Sequence, residues 1–332
     1  MNAKTQPFRA AKWLSNRHIQ TLLPSLKLVR APVIAWRREV FELPDTDTVA
    51  LDWNDLPDGV TPTALLVVLH GLEGSSESSY ARGLAEAAAR RGWLSVVLHA
   101  RDCGGHPNRL SRRYHAGETA DPGSVFAALV RRYPGLPLLA CGYSLGGNTL
   151  LKYLGESGKK HPVKAAVAVS VPFDLQGASD SISRGFSKLY QWHLMRNMKK
   201  SLVRKFSEDT ELFDWQRAIQ AKRFEEFDDA VTAPLHGFDG KDHYYGSSSS
   251  KQFLKSIETP TTIIHAVDDP FIDPKLLPSK TEVSDCVTLE FPANGGHVGF
   301  VEGPLPGRLR FWLPERICEH FERMTQSTEA AD

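Results

Sequence analysis

One run in the chain has the residue types and spacing of an activated alcohol: Gly142-Tyr143-Ser144-Leu145-Gly146-Gly147. It matches Gly-x-Ser-x-Gly, follows the apolar segment LPLLAC and precedes NTLLKYL, which has helical character. A strand that turns sharply into a helix lifts a serine Oγ above a sheet, and small residues flank it because the turn brings neighbouring elements close. A serine hydroxyl is a weak nucleophile and needs an adjacent base. His297, in Gly295-Gly296-His297-Val298-Gly299 after an apolar β-rich segment, is the expected base, and the glycines are expected to let its loop approach the serine. Two aspartates follow the preceding apolar segment, in Val267-Asp268-Asp269-Pro270-Phe271. Asp269, directly before Pro270, is the choice for the carboxylate that accepts the imidazole Nδ1–H and fixes the tautomer. Asp268 is then expected to brace the turn, and Asp273 to cap a helix beginning at Pro274. Acyl transfer also needs two backbone N–H donors for the oxyanion. These are assigned to Leu145, after the serine, and to Leu72 in His70-Gly71-Leu72-Glu73-Gly74. His70 reads as a structural residue that bonds its own loop.

Such residues must be carried by strands that end close together. Arg38 to Leu43 and Thr48 to Trp53 alternate around a turn-like Pro-Asp-Thr-Asp and predict an antiparallel hairpin. Ala64 to His70 is a continuous apolar run, of the kind that suits a strand covered on both faces. Leu94 to His99, Pro137 to Cys141, Lys164 to Ser170, Thr261 to Val267 and Cys286 to Phe291 repeat it. Helical patterns lie between them at Ser78 to Arg91, stopped by Gly92, at Asp121 to Tyr133, with Asp121 as cap and Pro122 first in the helix, and at Gly146 to Gly155. Strands alternating with helices predict a mostly parallel α/β sheet. Residues 171–250 break the alternation. There Phe186, Tyr190, Leu194, Met198, Leu202 and Phe206 recur every four residues, with Arg184, Lys188, Arg196, Lys199, Lys200, Arg204 and Lys205 between them, as in an amphipathic helix. The expected organisation is a core of residues 1–170 and 251–332 with a helical cap of 171–250. Crossovers leave the carboxyl ends of strands, where ligands bind. The cap is therefore expected to overhang Ser144, with Phe186, Tyr190, Leu194 and Met198 lining a substrate pocket.

A net charge of +1 gives no reason to expect a nucleic-acid partner. Cys103, Cys141, Cys286 and Cys318 are far apart and make no CxxC pair, so they read as reduced thiols of a cytoplasmic protein. No segment approaches the ~20 apolar residues of a spanning helix, although the basic stripe of the insertion leaves peripheral lipid contact open. His99, His106 and His115 have no metal-ligand spacing, there is no HExxH, and neither a P-loop lysine nor a GxGxxG after a strand occurs. No metal or cofactor is implied.

Taken together in order, Asn16-Arg17-His18-Ile19-Gln20-Thr21, His70 to Gly74, Tyr114-His115-Ala116-Gly117-Glu118-Thr119, Gly142 to Gly147, Glu226-Phe227-Asp228-Asp229, Tyr244-Tyr245, Asp268 to Phe271 and Gly295 to Phe300 resemble the YheT-like branch of the α/β-hydrolases. That branch includes bacterial esterase-type proteins and eukaryotic abhydrolase-domain lipid hydrolases. The resemblance covers nearly the whole chain and implies hydrolysis of short-chain esters or acylglycerol-type lipids, with a small-molecule ester as partner. One departure stands out: Arg101-Asp102-Cys103-Gly104-Gly105 replaces an Arg-Gly-Cys type loop and is expected to reshape the pocket mouth. The same Ser144, Asp269 and His297 could serve a thioesterase or amidase. A non-catalytic ligand-binding protein on a hydrolase scaffold is the reading from outside enzymology.

Overall fold

Alternate side chains of the apolar runs serve two separate cores. Leu65, Val67 and Leu69 of β3 (Ala64–Leu69) enter one, and Leu66 and Val68 enter the other. The first is closed by α3 (Ala120–Arg132) and α4 (Leu145–Ser157) through Val125, Phe126, Leu129, Leu150, Leu151 and Leu154. The second is closed by α2 (Ser79–Ala89) and α11 (Leu313–Glu329) through Ala81, Leu84, Ile317 and Phe321. A strand covered on both faces has no polar side, which is why these runs are continuous rather than alternating. The computed structural model describes residues 7–26, 28–303 and 309–329.

The eight strands are ordered β1-β2-β4-β3-β5-β6-β7-β8. The hairpin of β1 (Arg37–Glu42) and β2 (Thr48–Asn54) joins β4 (Trp93–Leu98) antiparallel. From β4 through β3, β5 (Leu138–Tyr143), β6 (Val163–Val169), β7 (Thr261–Ile264) and β8 (Val287–Glu290), every pairing is parallel. The parallel strands therefore deliver the loops after β3, β5, β7 and β8 to one edge of the sheet. One expectation fails at α3. The helix starts at Ala120, so Pro122 is third in it, and Asp121 is not its cap. Asp121 turns instead to the buried Arg101, accepting from Nε at 2.7 Å and Nη2 at 2.6 Å. Asp45 and Asp47 also face its Nη1, at 2.8 and 2.7 Å. A buried guanidinium needs such partners more than a helix needs its cap.

Between β6 and β7 the chain forms α5 (Leu175–Ile182), α6 (Ser187–Lys205), α7 (Trp215–Gln220), α8 (Phe224–Phe227), α9 (Ala233–Leu235) and α10 (Lys241–Ser248). These helices have a small core of their own, built on Met195, Met198, Leu202, Phe213, Phe227 and Val231. A wide π turn over Asp228–Thr232 joins α8 to α9.

Candidate active site

β5 ends at Tyr143, Ser144 follows it, and α4 begins at Leu145. Ser144 has φ 51° and ψ −118°, a backbone conformation that strains any residue with a Cβ. Its N–H donates to Val169 O at 2.8 Å, which ties the elbow to β6. Gly146 makes the turn possible: a Cβ there would lie 2.5 Å from the carbonyl oxygens of both Leu69 and His70.

His297 Nε2 lies 3.0 Å from Ser144 Oγ, and Nδ1 lies 2.8 Å from Asp269 Oδ2. A proton on Nδ1 satisfies the carboxylate and leaves the Nε2 lone pair facing the hydroxyl. Asp269 is buried, and its other oxygen accepts Phe271 N–H at 2.8 Å. Phe271 stacks on the His297 ring, with centroids 4.1 Å apart. His265 sits behind the carboxylate, 3.4 Å from Asp269 Oδ2, and burial pushes its pKa down to about 4. Asp268 turns the other way and accepts from Gly296 N–H at 3.0 Å and Asn294 Nδ2 at 3.2 Å. Burial raises its pKa. Asp273 accepts Lys275 N–H as the cap of a short helix.

Leu72 and Leu145 line the same cavity as Ser144 and His297. Among the described residues neither of their N–H groups donates to a protein acceptor. Glu73, at φ 52°, is held by Tyr114, whose hydroxyl donates to its carboxylate at 2.8 Å and accepts its N–H at 3.2 Å. His70 accepts Ala100 N–H on Nε2, which puts its own proton on Nδ1, 2.7 Å from Gly71 O. Burial lowers its pKa to about 4, so it is a neutral brace of this loop.

The cavity encloses about 1000 Å³, counting its open mouth. Leu194 and Met198 line it together with Leu175, Ile182, Phe227 and Val231. Phe186 and Tyr190 do not. Phe186 is half exposed and packs on His18, at 4.6 Å between centroids. Tyr190 packs on Phe271 at 5.1 Å and faces a second groove that reaches Ser144 from outside. The reason is helical drift. A step of four residues turns about 400°, so such a row winds by about 40° per step around the helix. Only its middle faces the cavity. None of Arg101 to Gly105 lines the cavity. Asp102 accepts Ser201 Oγ at 2.9 Å and pairs with Arg204 at 3.2 Å, anchoring the end of α6 on the core.

The comparisons agree with this architecture. A family model described as "alpha/beta hydrolase fold" matches residues 64–304. The protein named "Putative esterase YheT" of Escherichia coli strain K12 is 42% identical over 313 residues, 93% of this chain and 91% of the relative. The chain belongs to the YheT-like α/β-hydrolases. "Phospholipase ABHD3" of Mus musculus is 31% identical over 326 residues, covering 96% of this chain and 78% of that protein. The Pyrococcus furiosus esterase Pf2001 shares the fold, with TM-score 0.58 at 15% identity over 98% of this chain and 99% of that one.

For a YheT-like hydrolase, the N-terminal Asn16–Thr21 motif gains a physical meaning that its sequence did not reveal. Asn16 caps α1 (Arg17–Ser25) by accepting from His18 and Ile19 N–H. Thr21 Oγ1 accepts His297 N–H at 2.9 Å. Gln20, fully buried, donates to Leu14 O and Val301 O and accepts Val301 N–H. The expected close approach of Gly296 is to this helix, not to the serine: a Cβ there would lie 2.6 Å from Arg17 O. Asp228 was also unassigned. It lines the cavity, accepts Thr232 Oγ1 at 2.6 Å and Tyr245 OH at 2.7 Å, and is pushed up to about 6 by burial. The sequence signal for both was a family motif with no evident chemical role.

Proposed function

We propose that this protein hydrolyses carboxylic esters through an acyl-enzyme. Ser144 Oγ attacks the ester carbonyl while His297 Nε2 takes its proton. The N–H groups of Leu72 and Leu145 hold the oxyanion, and Asp269 stabilises the imidazolium. Collapse of the tetrahedral adduct breaks the C–O bond to the alcohol, which leaves with the proton from His297. Water then attacks the acyl carbonyl, His297 accepts its proton, and the acid departs as Ser144 is restored. The carrying observation is the chain of contacts at 2.8 and 3.0 Å from Asp269 through His297 to Ser144, opening on a cavity whose walls are mostly apolar. Such walls select an acyl chain, so short-chain esters or acylglycerol-type lipids are the substrate class. Residues 171–250 act as a cap that sets substrate choice without contributing a group to the chemistry.

A chain-length series of p-nitrophenyl esters tests this reading. Turnover by the wild type is expected to fall by about 10⁴- to 10⁶-fold in kcat on Ser144→Ala, with an unchanged far-UV spectrum. Equal turnover by the variant would refute the assignment. Preference for thioesters or amides in the same assay would keep the triad and change the substrate class.

A further inference from the structure

α6 turns a second face outward. Leu189, Trp192, Arg196, Lys200 and Val203 follow one another at spacings of three and four residues, and all are exposed. Spacing of that kind keeps them on a single stripe of the helix. Leu189, Trp192 and Val203 are each more than half exposed, a large apolar surface to leave in water. The stripe is also cationic. The groove along this side of α6 is lined by Arg184, Lys188, Arg196, Lys199, Lys200, Lys222 and Arg223, with Asp180 the single carboxylate among its lining residues. Lys199 donates to the carbonyls of Ile219 and Ala221, and Arg223 pairs with Glu225. Arg196 lies over the Trp192 ring at 5.7 Å.

Position decides what this surface meets. Trp192 lines the cationic groove and also the separate groove that runs between α1 and α6 to Ser144 and His297. Leu189 and His193 share the second groove with Leu22 and Pro24 of α1. Just beyond α1, Leu26 is exposed. The path to the nucleophile therefore opens beside an apolar and cationic rim. A helix with Trp and Leu beside Lys and Arg, lying flat, suits the headgroup boundary of an anionic bilayer. Its Trp favours that boundary because its ring is amphipathic. No helix among the described residues is long and apolar enough to cross a membrane.

We infer that the outer face of α6 docks the protein on an anionic lipid surface, which places the groove mouth where ester lipids leave the bilayer. This rests on the ester-hydrolase reading for its purpose but not for its test. Flotation with vesicles of phosphatidylglycerol and phosphatidylcholine (3:7) measures it, against vesicles of phosphatidylcholine alone. The wild type is expected to float with the anionic vesicles and to be released by high salt. Each cation near an anionic surface contributes roughly five-fold to partitioning. Arg196→Glu with Lys200→Glu is then expected to lower the partition coefficient by at least about 25-fold, leaving turnover of a soluble short-chain ester unchanged. Arg196→Gln with Lys200→Gln, a milder change to exposed positions, is expected to do the same in lesser degree. Salt-insensitive binding, equal binding to both vesicle types, or undiminished binding by both double variants would overturn the inference even with esterase activity intact. Self-association through this face instead of flotation would also overturn it. Flotation without any ester turnover would sustain the surface and refute the proposed reaction.

Discussion

The loops after β5, β7 and β8 and the helices of 171–250 face one cavity, yet they are built by different rules. Each loop hangs from a strand whose neighbours in the parallel sheet fix it. Ser144 N–H bonds Val169 O of the next strand, and Val298 N–H bonds Ser170 Oγ at 3.1 Å. A short loop on such a scaffold can reach few places, so chain order and spacing nearly determine the site. The helices have their own core around Met198 and Phe227 and touch the rest through scattered contacts such as Ser187 Oγ to Pro270 O at 2.6 Å. Which side chains reach the cavity depends on helix rotation, which periodicity specifies only loosely. Geometry for chemistry comes from the sheet, and the shape of the binding space comes from helix packing.

The largest effects belong to the loops. Asp269→Asn is expected to lower kcat by roughly 10⁴-fold by favouring the wrong imidazole tautomer. Asp268→Asn can still accept Gly296 N–H and should stay within about tenfold. Steady-state kinetics of the pair checks this, and the reverse ranking would move the acid to Asp268.

The insertion carries a pH-dependent stability cost of its own. Asp228 is buried, and its folded-state pKa, about 6, lies above that of an unfolded aspartate. The folded state therefore holds this proton more tightly, and its stabilising share is complete below about pH 4 and lost as pH rises through about 6. Denaturant titrations should show this decline, on the order of 2–3 kcal/mol from a shift of about two units, flattened in Asp228→Asn. Parallel curves for the two proteins would mean that the carboxyl does not titrate in this window.

Within the insertion, Leu194→Trp or Met198→Trp should shorten the preferred acyl chain, each excluded methylene being worth ~1–3 kcal/mol. Phe186→Trp should leave the chain-length profile alone. A profile that moves with Phe186 and not with Leu194 would reverse the assignment of the cavity wall. The smallest effect is expected at the brace between regions. Thr21→Val removes the acceptor for His297 N–H and should reduce kcat about tenfold through misplacement of the base, with KM for a short ester unchanged. Thr21→Ser should restore it.

The sheet was legible because buried parallel strands are continuous apolar runs, and Gly142 to Gly147 was legible because a sharp strand-to-helix turn permits few sequences. That Phe186 and Tyr190 lie outside the main cavity was not legible, because a four-residue row does not hold one face but winds around the helix. Asp121 was misread as a cap because the demand of Arg101, twenty residues away, is invisible locally. The role of Thr21 was hidden for a related reason: its partner, His297, lies at the other end of the chain.

The central claim is that Ser144 is the hydroxyl that His297 activates. Labelling with a fluorophosphonate, followed by intact mass and peptide mapping, addresses it without knowledge of the substrate. The account predicts one adduct, on Ser144, abolished in Ser144→Ala and formed far more slowly in Asp269→Asn. An adduct on another serine, or labelling that persists in Ser144→Ala, would contradict it.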